Sequence, residues 1–312
     1  MREGGKAAVI DIGSNSIKVL VATRAASGRT EEVFAETLDA RISAGISRRD
    51  PRLGAAGMAR GVAAIRSLLE MAARHSPDRT LLVATSAVRD ARNGAAFKRK
   101  VREATGHAIR VLSGGEEANL IGRGLACDPA LARLRNFYVF DLGGGSLECL
   151  AFRGRRVRQA ASLQLGCVRL TEKFVADSAR PFTPSAARAI AAHVGATIEA
   201  AGFQFRLPRG SAAVGSGGTL TTVRAIRAER AGIAFERTDP AIAVEELRSL
   251  LEETGSLPLA ARRRILGLPP ARADVFPAAL ATLIEVASLA GIGRFRHSLY
   301  NLRWGLAAEL LS

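Results

Sequence analysis

One pattern, D-x-G-x-x-S, occurs twice, each time at the end of an apolar, strand-like run. Its copies are Asp11-Ile12-Gly13-Ser14-Asn15-Ser16 behind AAVI and Asp141-Leu142-Gly143-Gly144-Gly145-Ser146 behind FYVF. Each leads into a second apolar run that reads as the return strand of a hairpin. A motif repeated with its flanking strands implies an internal duplication, hence two related α/β lobes with a cleft between them. At 312 residues and 48% hydrophobic, the chain is long enough to bury a core in each.

The intervening sequence supports alternation of strand and helix. AAVIDIG, KVLVATRA and EEVFAETL read as a three-stranded meander, and Val62, Ile65, Leu68, Leu69 and Ala72 then recur at helical spacing. TLLVAT reads as a buried strand, FKRKVREATG as a helix ending at Gly106, and residues 108–112 as a short strand before a helix at 114–127. From Asn136 the order restarts with NFYVFDLGGGS, LECLAF and RRVRQAASL. The remainder reads as mostly helical, with one strand-like segment in SAAVGSGGTL. The boundary falls in the loop at 128–135, giving lobes over 1–128 and 129–298.

The net charge of +16 comes mostly from scattered arginines, among them Arg60, Arg89, Arg123, Arg155, Arg206, Arg262 and Arg303. It suits either a solubilising surface or a polyanionic partner. With 5% aromatics and no helix-turn-helix, RNP or zinc-finger pattern, nucleic acid is not the expected partner. Cys127, Cys149 and Cys167 form no close pair, and His75, His107, His193 and His297 show no ligand spacing. MREGGKAAVIDIG enters a strand at once and predicts no signal peptide, so a cytoplasmic location is expected. The apolar stretch at 275–291 contains Pro277 and Glu285, and a buried helix is expected there rather than a membrane span.

The chemistry concentrates at the glycine turns. Bare backbone at Gly143, Gly144 and Gly145 lets successive N–H groups converge on an anion, although a tight hairpin turn also takes glycines. Phosphate beside Asp11, Asp141 and Glu148 calls for a cation, and Mg²⁺ binds through one or two carboxylates plus substrate oxygens. Glu148 lies two residues past Ser146 and shares its face of the strand. In VLSGGEEANLIGRG, Ser113 and Glu116 fit a capping box, leaving Glu117 without a structural task. Arg89 and Asn93 follow a strand's carboxyl end, where phosphate-clamping groups gather. Gly217, Gly218 and Thr219 open a helix after a strand, either as a further anion site or through close packing of turn on strand.

Taken in order, VIDIGSNSIKVLVA, ATSAVRDARN, LSGGEEANLI, FDLGGGSLE, LQLGCVRLTE, GSGGTLTTV and the near-terminal SLYNLRWGL resemble the exopolyphosphatase and guanosine pentaphosphate phosphohydrolase (Ppx/GppA) family of the actin/sugar-kinase superfamily. The resemblance implies two ribonuclease-H-like (actin-like ATPase) lobes, with a final helix at about 299–312 packing back on the first, and Mg²⁺-dependent, processive hydrolysis of terminal phosphate from inorganic polyphosphate. Guanosine pentaphosphate is the alternative substrate. It further implies Glu117 as base for the attacking water, with Asp141 and Glu148 as metal or water-positioning carboxylates. Gly143, Gly144, Gly145 and Ser146 become a phosphate loop, faced by Asp11, Gly13, Ser14, Asn15 and Ser16, with Asp11 also a metal ligand and Arg89 a phosphate contact. A homodimer is the prior the family carries.

Three departures accompany the resemblance. Leu147 stands where the family commonly has Ser or Thr, RISAGISRRD matches loosely, and the appended helical domain of longer members is not expected here. A binding regulator with little turnover is the reading from a different class; a kinase would need a catalytic aspartate and an acceptor, for which no candidate stands out.

Overall fold

The structure, a computed structural model, describes residues 5–46, 50–208 and 210–312, and divides into two compact units. Unit 1 is Met1–Arg133 with Tyr300–Ser312, and unit 2 is Leu134–Leu299. Part of the loosely matching segment, residues 47–49, lies outside the described residues, as do residues 1–4 of the opening segment.

Unit 1 runs β1 (Lys6–Ile12), β2 (Ser16–Arg24), β3 (Thr30–Asp39), α1 (Ala55–Ala73), β4 (Arg79–Ala84), α2 (Ser86–Arg89), α3 (Gly94–Thr105), β5 (Ile109–Val111) and α4 (Gly114–Ala126). Among the described residues its sheet has the order β3-β2-β1-β4-β5, with the meander antiparallel and β4 and β5 parallel to β1. Side chains alternate across a strand, so Ile10, Ile12, Ile17 and Val19 reach one face, where Ile65 and Leu68 of α1 and Phe97 and Val101 of α3 bury them. Gly106, at φ 74, ends α3 in the left-handed conformation that glycine takes without a Cβ penalty.

Unit 2 runs β6 (Phe137–Leu142), β7 (Leu147–Arg153), β8 (Arg156–Leu163), α5 (Cys167–Phe174), α6 (Pro184–Ala200), β9 (Ala212–Ser216), α7 (Gly218–Ala231), β10 (Ala241–Ala243), α8 (Val244–Ser256), α9 (Leu259–Arg262), α10 (Phe276–Ala290) and β11 (Arg294–His297). Its sheet has the order β10-β11-β9-β6-β7-β8. Read from the other edge, β8-β7-β6-β9-β11 repeats the order and sense of β3-β2-β1-β4-β5. The repeat extends to detail. The second and third strands of each meander slip register once, between Val21 and Ala22 and between Ala151 and Phe152. Two ribonuclease-H-like units of mixed α/β structure are therefore present. The apolar stretch forms α10 within the core of unit 2, and among the described residues no helix is long and apolar enough to cross a membrane.

Two short strands, β10 and β11, replace what the sequence suggested was helical. β11 is RFRH, whose two inward residues are one Phe and one His, too short and too polar an alternation to register as a strand. Its backbone is fixed by parallel pairing to β9 instead. The arginines also differ from a purely solubilising set. Arg262 is 1% exposed and donates to the carbonyls of Leu257, Ala273 and Arg180, while Arg60 holds those of Ala40 and Arg41. Five donors in a fixed fork suit a guanidinium to this task.

α11 (Leu302–Leu310) follows β11 and packs in unit 1 against α4, β1 and β2. The two helices approach through glycines: a Cβ on Gly124 would sit 1.9 Å from the Asn301 carbonyl oxygen, and one on Gly305 would sit 2.0 Å from that of Leu120. Arg303 adds a hydrogen bond from Nη1 to the Val19 carbonyl, 2.8 Å away.

Candidate active site

In unit 1 the first D-x-G-x-x-S copy is a hairpin whose two-residue turn is Ser14 and Asn15, closed by Gly13 N–H on the Ser16 carbonyl at 3.2 Å. A Cβ on Gly13 would lie 2.9 Å from that same oxygen, so the closure requires glycine. The Ser14 carbonyl accepts from Ser43 N–H and Oγ, and the Asn15 carbonyl from the N–H groups of Ala40 and Arg41. In a trans peptide the following N–H points the opposite way, so those of Asn15 and Ser16 face away from this loop. Ser14 is 3% and Asn15 4% exposed, yet Ser14 Oγ and both polar atoms of the Asn15 side chain have no hydrogen-bond partner. Buried polar atoms in this condition mark places where a ligand or water completes the set. Asp11 is the cross-strand partner of Lys18; burial pushes its pKa up, while Lys18 and Arg303 pull it back down.

Glu117 stands in the first turn of α4. Ser113 and Glu116 form the expected capping box there, and the Ser113 bonds together with Arg110 bring the Glu116 carboxyl down to about 2. Glu117 is buried, 5% exposed, and its Oε2 accepts from Arg89 Nη1 at 3.0 Å. The same Nη1 donates to the Leu112 carbonyl at 3.0 Å, and Arg89 Nε lies 3.4 Å from Asp90. Arg89 and Leu112 come from the carboxyl ends of the neighbouring parallel strands β4 and β5, so sheet register sets the position of the carboxylate. Asn93 instead clamps the backbone of Leu53 through both side-chain atoms.

In unit 2 the second copy repeats the closure, with Gly143 N–H on the Ser146 carbonyl at 3.0 Å and Gly144 and Gly145 as the turn. Among the described residues none of Gly143, Gly144 and Gly145 has positive φ, so left-handed backbone is not what calls for glycine here. The close approach belongs to the neighbouring glycine: a Cβ on Gly166, the residue before α5, would come within 2.3 Å of the Gly144 and Gly145 backbone. Every carbonyl of the glycine run is held from the α5 side. Gly143 accepts from Cys167 N–H, Gly144 from Val168 N–H and Gly145 from Arg169 Nε. By peptide planarity the N–H groups of Gly144, Gly145 and Ser146 are directed away from α5, three in succession, an arrangement suited to an anion.

Asp141 and Glu148 are register partners on β6 and β7, so the two carboxylates share one face beside that turn. Glu148 Oε1 accepts from Ser162 Oγ at 2.8 Å, its own partner on β8. Leu147, between them and the turn, is fully buried in the core. Gly217, at φ 95, backs onto this pair: a Cβ there would lie 2.8 Å from Asp141 Oδ1 and 2.7 Å from the Leu142 carbonyl oxygen. Gly218 then opens α7 with the Arg272 guanidinium so close that a Cβ would meet Nη1 at 2.2 Å. Ser216 and Thr219 are 1% and 0% exposed, and their hydroxyls, like Arg272 Nε, are buried without a hydrogen-bond partner.

The structure thus gathers Asp141, Glu148, residues 143–146 and residues 216–219 within unit 2, and Asp11, residues 13–16, Arg89 and Glu117 within unit 1. Sequence reasoning missed Arg272, which lies in PPARADV with no periodic or spacing signal, and Ser162, visible only through strand register. His297 was set aside as a bystander; it is 4% exposed and lies 3.3 Å from both Thr221 Oγ1 and Arg224 Nη1. Among the described residues no group of three or more His, Cys, Asp or Glu forms a metal cluster. The Asp141 and Glu148 pair nevertheless fits a hard ion such as Mg²⁺, which takes one or two carboxylates and fills its remaining positions with water and phosphate oxygens.

Comparison with known proteins agrees with this picture. An exopolyphosphatase from Cytophaga hutchinsonii aligns over 98% of this chain and 97% of its own, with 20% identity and a TM-score of 0.86. An exopolyphosphatase-like protein aligns over 99% and 98%, with 26% identity and a TM-score of 0.86. The PPX-GPPA enzyme of Aquifex aeolicus aligns over 98% and 99%, with 22% identity and a TM-score of 0.75. The family model of the Ppx/GppA phosphatases matches residues 6–312. By that match over nearly its whole length, the chain belongs to the Ppx/GppA phosphatase family and is a hydrolase of phosphoric anhydrides.

Proposed function

We propose that this protein removes the terminal phosphate from inorganic polyphosphate, with Glu117 as the base for the attacking water. The observation that carries this reading is the turn at Gly144 and Gly145, whose carbonyls are all committed to the α5 side while three N–H groups face the other way beside two carboxylates. Such a turn suits phosphate oxygens, and the adjacent pair suits the ion that accompanies them.

In the reaction, water oxygen bonds to the terminal phosphorus as the bridging P–O bond breaks. The water proton passes to Glu117, and the shortened chain leaves with the bridging oxygen. Arg89 fixes the Glu117 carboxylate through Nη1, which the Leu112 carbonyl in turn fixes, so Arg89 acts as a positioning residue. N–H groups of the turn at residues 143–146, with the Ser216 and Thr219 side chains, accommodate oxygens that gain charge in the transition state. Asp141 and Glu148 would hold Mg²⁺, which would supply positive charge to the phosphoryl oxygens.

The test is phosphate release by purified protein from long-chain polyphosphate and from guanosine pentaphosphate, in parallel with Glu117→Gln. The expected result is release from polyphosphate, slowed about 10²- to 10⁴-fold in the variant with binding retained. Preference for the pentaphosphate would reassign the substrate. Saturable binding without release at any magnesium concentration would make the protein a regulator, and unchanged turnover in Glu117→Gln would remove the proposed base.

A further inference from the structure

The first turn of α5 is capped by the glycine turn itself. Gly166, the residue before the helix, makes no side-chain capping bond. The N–H groups of Cys167 and Val168 go instead to the carbonyls of Gly143 and Gly144 at 3.0 and 2.9 Å, and that of Arg169 also reaches Gly144, at 3.3 Å. Any residue other than proline supplies such a backbone donor. The third carbonyl is held differently. Gly145 accepts at 3.1 Å from a side-chain atom, Arg169 Nε, so this hold depends on which residue stands at 169. Arg169 also lies in the first turn of a helix with no acid there, where the helix dipole disfavours a cation. Helix stability alone does not account for an arginine at this position.

We propose that Arg169 is a positioning residue for the reaction, holding the peptide between Gly145 and Ser146 with its N–H toward the phosphate oxygens. The inference deepens the reading of this turn given above and rests on it. In a trans peptide the C=O and N–H point opposite ways, so fixing the Gly145 carbonyl on the α5 side fixes the Ser146 N–H on the other. Nothing in Gly145 itself does so, because a residue without a Cβ rotates about its backbone bonds at little steric cost. A flip of this one peptide would replace a donor with a carbonyl oxygen. That oxygen would oppose the negative charge that the transition state places on the phosphoryl group. Arg169 therefore acts through the peptide and needs no contact with the substrate.

Arg169→Met and Arg169→Gln test it on the full chain. The Gln amide nitrogen stands as many bonds from Cα as the arginine Nε, so Gln keeps a donor for the Gly145 carbonyl and discards the charge; Met places a methyl there. Phosphate release from polyphosphate is measured as kcat and KM, alongside thermal midpoints. The amide signals of Gly144, Gly145 and Ser146 are followed by NMR as inorganic phosphate is added. Met should lower kcat about 10- to 100-fold, with KM and midpoint little changed, which is less than the roughly 10²- to 10³-fold cost of deleting an oxyanion donor outright. Gln should stay within about threefold of the wild type, since the neutral hydrogen bond survives. The Ser146 amide should respond to phosphate in the wild type and in Gln, and much less in Met. Equal impairment of Met and Gln would overturn the proposal, because the loss would then follow the charge and not the donor; so would a Met variant equal to the wild type. Where Met does not fold, Gln decides alone, and a folded Gln variant with kcat lost overturns the proposal. A wild type that releases no phosphate while its Ser146 amide responds as described would remove the hydrolytic reading and uphold the role of Arg169. Release with an unresponsive Ser146 amide would do the reverse.

Discussion

Acidification should loosen unit 2 through His297. Its Nδ1 lies 3.3 Å from Arg224 Nη1, a donor, so Nδ1 accepts and the ring proton sits on Nε2, directed to Thr221 Oγ1. A second proton would have to occupy Nδ1, facing the guanidinium in a buried pocket. Burial first, and Arg224 second, push the imidazole pKa down from 6.5 to about 3. In the unfolded chain His297 takes its proton near 6.5; in the folded chain it does so only near 3. Between these values the unfolded state binds more protons, so the stabilisation is complete above about pH 6.5 and is lost as pH falls toward 3. At about 1.4 kcal/mol per pH unit, the loss at pH 5 is on the order of 2 kcal/mol, and over the whole window on the order of 5. The assay is hydrogen exchange across α7 and β11, with urea midpoints, at pH values from about 7 to 4.5 in wild type and His297→Asn. Asn retains an acceptor toward Arg224 and cannot titrate, so other groups shift both proteins alike and the difference in slope isolates the imidazole. Equal slopes in the two proteins would refute the argument.

Two further substitutions test how close packing supports the site. Gly305→Ala would drive a methyl to 2.0 Å from the Leu120 carbonyl oxygen, separating α11 from the helix that carries Glu117. Backbone cannot swing aside, so the cost should reach or exceed the roughly 1–3 kcal/mol of ordinary overpacking; an unchanged thermal midpoint would contradict the described contact. Gly218→Ala meets a side-chain end instead, the Arg272 guanidinium. Its buried Nε has no hydrogen-bond partner among the described residues, which leaves it for a phosphate oxygen, so displacing that arginine should hold the thermal midpoint while kcat/KM for phosphate release falls; the opposite pattern would rule out such a contact.

Which parts of this were legible in the sequence follows from the range of the forces involved. The repeated D-x-G-x-x-S turns and their strands could be read because hairpin closure and strand alternation act over a few residues, as did the Ser113 and Glu116 cap. β11 could not, since RFRH is a strand only because β9 lies beside it. Arg272 and Ser162 reach their places through contacts distant in sequence, and a single arginine or serine has no local signature of its partner. The glycine run could be read as bare backbone, but its local geometry could not. Its residues avoid the left-handed region, and the neighbouring Gly166 is what admits α5 to the turn. The excess of arginine looked like surface charge because carbonyl clamps such as Arg262 are invisible before the chain folds.

The order of the chain gives the pairing of α4 with α11 a consequence in time. Unit 2 is inserted between residues 133 and 300, so α4 emerges well before the helix that covers its Gly124 face. At about 5–20 residues per second, synthesis of residues 134–299 occupies roughly ten to thirty seconds. Throughout that interval the helix bearing Glu117 lacks its partner, and a ribosome-bound first unit is an unfinished one. The base on α4 is thereby tied to synthesis of the entire second unit, and a chain interrupted within unit 2 never acquires the packing that seats it.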